Sequence, residues 1–176
     1  MQKYILPQNK HLDDIMERVV YEAKKSTCER SKCGSIILSN KSFENKSFST
    51  IGHGHNSQPT CVTSLVNKKL LCFKDSLPKG FKSDKTCCVH AEQRAIMFAL
   101  SAENVRVLKN SWLFFIRLDE NDKTLHAGDP YCTICSKMAL DVGIGKFCLW
   151  HKEGWTAYNT DYYNELSFQF NSETIK

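Results

Sequence analysis

His90 and Glu92 enclose Ala91, and 42 residues beyond His90 the pair Cys132 and Cys135 encloses Thr133-Ile134, shortly after Pro130. One neutral imidazole and two thiolates fill three corners of a zinc tetrahedron and leave the fourth for water, the arrangement that separates catalytic from structural zinc. Two thiolates also offset the charge of the dication. Zinc lowers the pKa of water toward neutrality, and a carboxylate beside it can take the released proton, so the set reads as hydrolytic machinery. Glu92 is that carboxylate.

Six His and ten Glu in 176 residues give roughly 0.3 accidental His-x-Glu, so the block needs its context. Residues 90–100, HAEQRAIMFAL, are good helix formers without Gly or Pro, which puts His90 at a helix start. Gly128, Asp129 and Pro130 are loop and helix-start residues, and they set Cys132 and Cys135 on one face of a helix over 132–142. Two positive helix ends then meet at the metal and favour thiolate. Two other readings use the same residues. Cys87 as fourth ligand would close a Cys3His structural site, and Cys-x-x-Cys alone is also a redox pattern.

The chain reads as one domain over residues 1–176, with no repeat or low-complexity stretch. MQKYILPQNK lacks the apolar core of a secretory signal, and no run approaches a membrane span. A cytoplasmic location without membrane partners is the expectation. Nine cysteines, an odd number, without an export signal point to thiols and metal ligation in a reducing compartment rather than disulfides. The formal charge of +5 is a mild bias toward anionic partners, but the basic residues form no stripe, so a small nucleotide is favoured over nucleic acid.

Leu12, Ile15, Met16, Val19, Val20 and Ala23 recur at helical spacing, predicting an amphipathic helix over 11–27. Ser35–Leu38 and Phe48–Gly52 read as strands of one sheet joined by the polar connection SNKSFENKS. Residues 56–86 read as a surface excursion that covers the site, with a short helix over 65–73. Trp112–Leu118 is apolar enough for a strand buried on both faces. A charged loop over 119–129 leads to the Cys132 helix, and Lys146–Trp150 reads as a further strand. Alternation of strand and helix from residue 90 onward argues for parallel strands in a layered α/β domain. The aromatic tail after Gly154 is ordered, as helix or strand.

Ser26-Thr27-Cys28-Glu29-Arg30 and Cys33-Gly34-Ser35-Ile36-Ile37 resemble the S-T-C-x-R-x-x-V-G-A-V-I segment of deoxycytidylate deaminases, and Gly52 to Pro59 resembles that family's G-Y-N-G-x-P turn. With the His-x-Glu and Cys-x-x-Cys blocks, these elements follow the family's order over roughly residues 11–151. The resemblance implies the three-layer α/β/α cytidine deaminase-like fold, with a mixed sheet of about five strands and zinc between two helix starts. It implies a hydrolytic deaminase of a cytosine nucleotide, with dCMP as substrate and dUMP plus ammonia as products. His90, Cys132 and Cys135 would hold the zinc, and Glu92 would move protons between water, ring nitrogen and leaving ammonia. Asn56 would hydrogen-bond sugar or base, the Ala91 backbone would contact the base, and Arg30 would reach the phosphate. Some relatives carry a second, structural zinc, which here would use Cys28 with Cys61, Cys87 or Cys88. Many assemble as homo-oligomers.

The chain departs from the family pattern at three points. Tyr131 stands between Pro130 and Cys132, eleven residues separate Leu118 from Pro130, and Arg94 replaces the family's Asn. Arg94 reads either as a cation that would favour a phosphate-bearing substrate or as a solvated helix residue. A deaminase of a base in RNA, such as adenosine in tRNA, and a non-catalytic zinc-stabilised interaction module are the competing functions. His53 and His55 read as polar turn residues at a strand end.

Overall fold

A computed structural model describes residues 2–28, 31–47, 49–59, 88–102 and 105–170. The first amphipathic segment forms α1 (Lys10–Lys24), capped where Asn9 Oδ1 accepts the Leu12 amide at 3.1 Å. Its Leu12, Ile15, Val19 and Ala23 are buried on one face, which is the periodicity read from the sequence. The remaining elements are β1 (Lys3–Ile5), β2 (Lys32–Leu38), α2 (Asn40–Glu44), β3 (Thr50–His55), α3 (Ala91–Ala102), β4 (Trp112–Leu118), β5 (Thr124–Leu125), α4 (Thr133–Asp141), β6 (Lys146–His151), β7 (Gly154–Asn159) and α5 (Thr160–Gln169). No helix among the described residues is long and apolar enough to cross a membrane.

Side chains alternate across the sheet and so build two cores. Ile36 and Leu38 of β2 and Trp112, Phe114 and Ile116 of β4 face α1. Ile37 of β2, Leu113 of β4 and Phe147 and Leu149 of β6 pack on the layer of α3, α4 and α5. The domain is the three-layer α/β/α sandwich expected, and β4 is buried on both faces.

The sheet has seven strands, not about five, in the order β1-β7-β6-β4-β2-β3, with β5 beside β4. The extra strands lie where polar or short sequence hid them. β1 pairs antiparallel with β7, and β5 pairs with the end of β4 from within the charged loop. The tail resolves into both alternatives, β7 followed by α5. Among the described residues only β4 and β6 run parallel, joined through α4 as a crossover requires; β7 turns back as a hairpin. The polar connection between β2 and β3 holds α2, capped by Ser39. β3 lies further along than read, and His53 and His55 are strand residues facing α1, where the buried Glu22 carboxylate lies 3.4 and 3.8 Å from their Nδ1 atoms. Their polarity suggested a turn, but a carboxylate partner makes them compatible with a covered face. The helix expected over 65–73 and the covering excursion lie outside the described residues, except for its first residues 56–59.

Gly54 sets how closely α3 approaches the sheet. A Cβ there would lie 2.6 Å from Arg94 Cβ, 2.7 Å from the Ala91 carbonyl and 2.7 Å from the Ala95 amide. Gly54→Ala is therefore expected to lift the start of α3, costing roughly 1–3 kcal/mol and a melting temperature lower by several degrees. Gly128, whose added Cβ meets nothing within 4 Å, is the control for thermal melting. Equal melting of Gly54→Ala and Gly128→Ala would contradict this packing.

Candidate active site

α3 and α4 both begin at the same end of the sheet, because each helix follows a chain segment leaving that end. The His90 amide donates to Gln93 Oε1 at 3.0 Å, and its carbonyl accepts the Arg94 amide at 3.1 Å. His90 is thus the capping residue of α3, with the Gln93 side chain making the return half of a capping box. Cys132 caps α4, its sulfur accepting the Cys135 amide at 3.5 Å. A cap residue points back over its own helix start, so the two helix ends bring their side chains together.

His90 Nδ1 lies 3.2 Å from Cys135 Sγ and 3.4 Å from Cys132 Sγ. The three donor atoms all lie within 4.8 Å of one another. A zinc tetrahedron with Zn–S near 2.3 Å and Zn–N near 2.05 Å has an S···N edge of about 3.5 Å, so this donor set fits zinc with little movement. Among the described residues the group has these three members. Cys87 and Cys61, the expected alternatives, lie outside the described residues, whereas Cys28 and Cys88 are half-buried.

The electrostatics suit a dication. Hydrogen bonding from Cys135 and His90 holds the Cys132 thiol down at about 4, against the cost of burial. Cys135 is pushed well above the ordinary thiol range by that same bond and by burial. Glu92, only 5% exposed, is raised to about 7 by burial and then by the charge of Cys132. A carboxyl in that range can take and return a proton near neutrality, and a bound cation would draw it lower.

Residues 9–150 match the family described as the cytidine and deoxycytidylate deaminase zinc-binding region. The chain belongs to that family. It is a hydrolytic deaminase with a zinc-binding region, and the His90, Cys132 and Cys135 cluster is a donor set that could hold the metal. The dCMP deaminase of the cyanophage S-TIM5 is similar in structure over 80% of this chain and 82% of that one, at 21% identity and a TM-score of 0.49. The cytidine deaminase of Mycobacterium tuberculosis is similar over 84% and 90%, at 13% identity and a TM-score of 0.42. No curated protein matches the chain.

The remaining expected residues fall in different places. Asn56 is buried beneath the loop between α1 and β2. Its Oδ1 accepts from the Cys33 amide and the Ser26 hydroxyl, both at 2.7 Å, and its Nδ2 donates to the Ser31 carbonyl at 2.9 Å. Ala91 is fully buried at the first turn of α3, and Arg30 lies outside the described residues. Arg94 does not face the Glu92 cleft. It donates to the Gln58 carbonyl at 2.8 Å and lines a separate pocket with Glu22, His53 and His55.

Glu92 opens into a cleft walled by Arg117, Leu125, Asp129, Tyr131, Trp150 and Tyr163, with about 490 Å³ of empty space shared with solvent. Of these six, Tyr131 stood out in the sequence as a departure from the family pattern, and the other five were not singled out. For Arg117 a signal existed: it is the lone charge in the apolar strand WLFFIRL. The others come from four elements whose convergence is a property of the fold.

Zinc loading has a predictable proton count. Cys132 is already a thiolate at pH 8 and Cys135 is still a thiol, so zinc loading should expel about one proton per ion, and apparent affinity should rise about tenfold per pH unit near neutrality. Indicator-dye titration checks this. No release would exclude Cys135 as a ligand.

Proposed function

We propose that this deaminase acts on a cytosine nucleotide, dCMP first, giving dUMP and ammonia, with His90, Cys132 and Cys135 as the zinc ligands and Glu92 as the proton carrier. The observation that carries the reading is the Glu92 carboxyl, buried beside three metal-donor atoms and open to a cleft. A carboxyl with only a structural task would be expected on the helix surface.

Zinc, when bound, supplies a water molecule that is nucleophilic at neutral pH. Glu92 accepts a proton from that water and delivers it to the ring nitrogen next to the amino-bearing carbon. Carbon–oxygen bond formation at that carbon then needs no free charge on the ring. Glu92 next carries a proton to the amino group, which leaves as ammonia while the carbonyl forms. Burial of Glu92 serves both transfers, because its proton affinity stays near that of its surroundings.

Asn56, whose side chain is hydrogen-bonded to Ser26, Ser31 and Cys33, would contact the sugar or base, and Arg30 the phosphate. The Ala91 backbone, at the start of α3, is the edge against which the base would rest. One zinc per chain suffices for the reaction, and cysteine ligands suit a reducing cytoplasm.

Glu92→Ala is expected to retain one zinc per chain and to lose at least about a hundredfold in turnover. His90→Ala is expected to lose the metal and melt earlier. Substrate class is read by offering the purified protein dCMP, dCTP, cytidine, free bases and tRNA and following ammonia. An active Glu92→Ala enzyme would end the mechanism, and inosine formation in tRNA would move the substrate to RNA.

A further inference from the structure

The eleven residues between Leu118 and Pro130 build a wall of the cleft. β5 pairs with the end of β4, setting Leu125 opposite Arg117 and Thr124 opposite Leu118. Beyond β5, the Ala127 amide donates to the Trp150 carbonyl at 2.7 Å, tying the segment across to the end of β6. The segment is therefore stitched to both parallel strands, and its Leu125, Ala127, Gly128 and Asp129 line the cleft that contains Glu92.

Arg117 sits at the mouth of this construction. In β4, Leu113 and Phe115 face the helical layer that carries Glu92, and alternation puts Arg117 on that same face. Cys33 is its cross-strand neighbour, and the Arg117 charge acts on both Cys33 and Tyr131, the two groups that also feel Glu92. It is the single Lys or Arg among the described residues lining the cleft. No carboxylate lies within ion-pair distance of it among the described residues, although Asp129 lines the same cleft. An exposed arginine that interrupts an apolar strand and has no carboxylate partner among the described residues can hold an anion from solution. Its planar fork matches the oxygens of a phosphate monoester.

We infer that Arg117 is the specificity-determining residue that seats the phosphate of the substrate, so that the cleft selects a nucleoside monophosphate over a nucleoside. This rests on the cytosine-nucleotide reading above and gives it a cause. Glu92 works at the closed end of the cleft and Arg117 at its rim, so the base goes inward and the charged group outward. Trp150 and Tyr131 line the same cleft and are aromatic walls for the intervening part of the substrate.

The zinc-loaded enzyme, Arg117→Gln, Arg117→Lys and Arg30→Gln are compared on dCMP and deoxycytidine, with dUMP and deoxyuridine binding measured by calorimetry. Arg117→Gln is expected to lose roughly ten- to a hundredfold in kcat/KM on dCMP, mainly through KM, and in dUMP binding, as for a lost hydrogen bond to a charged group. Its loss on deoxycytidine is expected to be at least about tenfold smaller, with zinc content and melting unchanged and Arg117→Lys intermediate. Equal losses on dCMP and deoxycytidine would overturn the inference, as would an Arg30→Gln enzyme that loses the discrimination while Arg117→Gln keeps it. A preference for dCTP or for a cytosine-containing oligonucleotide over dCMP that depends on Arg117 also overturns it. If no cytosine compound is deaminated while dUMP binds in an Arg117-dependent way, the reaction assignment falls and the phosphate seat stands. If dUMP does not bind at all, the seat falls as well.

Discussion

Crowding two cysteine sulfurs, an imidazole and a carboxyl against one another under a protein surface is costly unless a cation sits among them. Glu92 and Cys135 are pushed toward their protonated forms by burial and by the neighbouring Cys132 sulfur. A dication removes that conflict at once. Its binding energy is then available to hold α3 and α4 together, the two helices whose first residues supply the donors.

The rest of the fold serves to bring those two helix starts to one place. α4 is the crossover between the parallel strands β4 and β6, so its N-terminus must lie near the carboxyl end of β4. α3 is pressed onto β3 at Gly54, where its backbone comes closer than any side chain would allow. Asn56 follows β3 directly and pins the loop entering β2. Strand ends, helix caps and one glycine thus fix the position of the donors more tightly than any contact within the site.

The same strand ends explain the cleft. Ligand sites in open α/β sheets form beyond the carboxyl ends of parallel strands, where the chain has left the hydrogen-bonding ladder and side chains face outward. Arg117 and Trp150 occupy those ends on β4 and β6, and the segment over 119–129 bridges them. An inserted loop that was only a length anomaly in the chain is a wall held at both sides.

The grouping of His90, Glu92, Cys132 and Cys135 at two helix starts was legible because each part is a local property: His90 and Glu92 lie two residues apart, Cys132 and Cys135 three, and helical period and capping chemistry act over a few residues. α1 and β4 were legible for the same reason, and so was the layered α/β class. The strand count was not, because β1 and β5 have two or three residues each and exist only by pairing with distant partners. Nor could it be read that Arg94 turns to the Gln58 carbonyl while Arg117 faces Glu92, or that His53 and His55 meet Glu22. Residue type and spacing determine what chemistry a chain can perform. Which cation faces the reacting group depends on strand register and on which side of a sheet a residue falls, and those are settled only when segments far apart in sequence pack together.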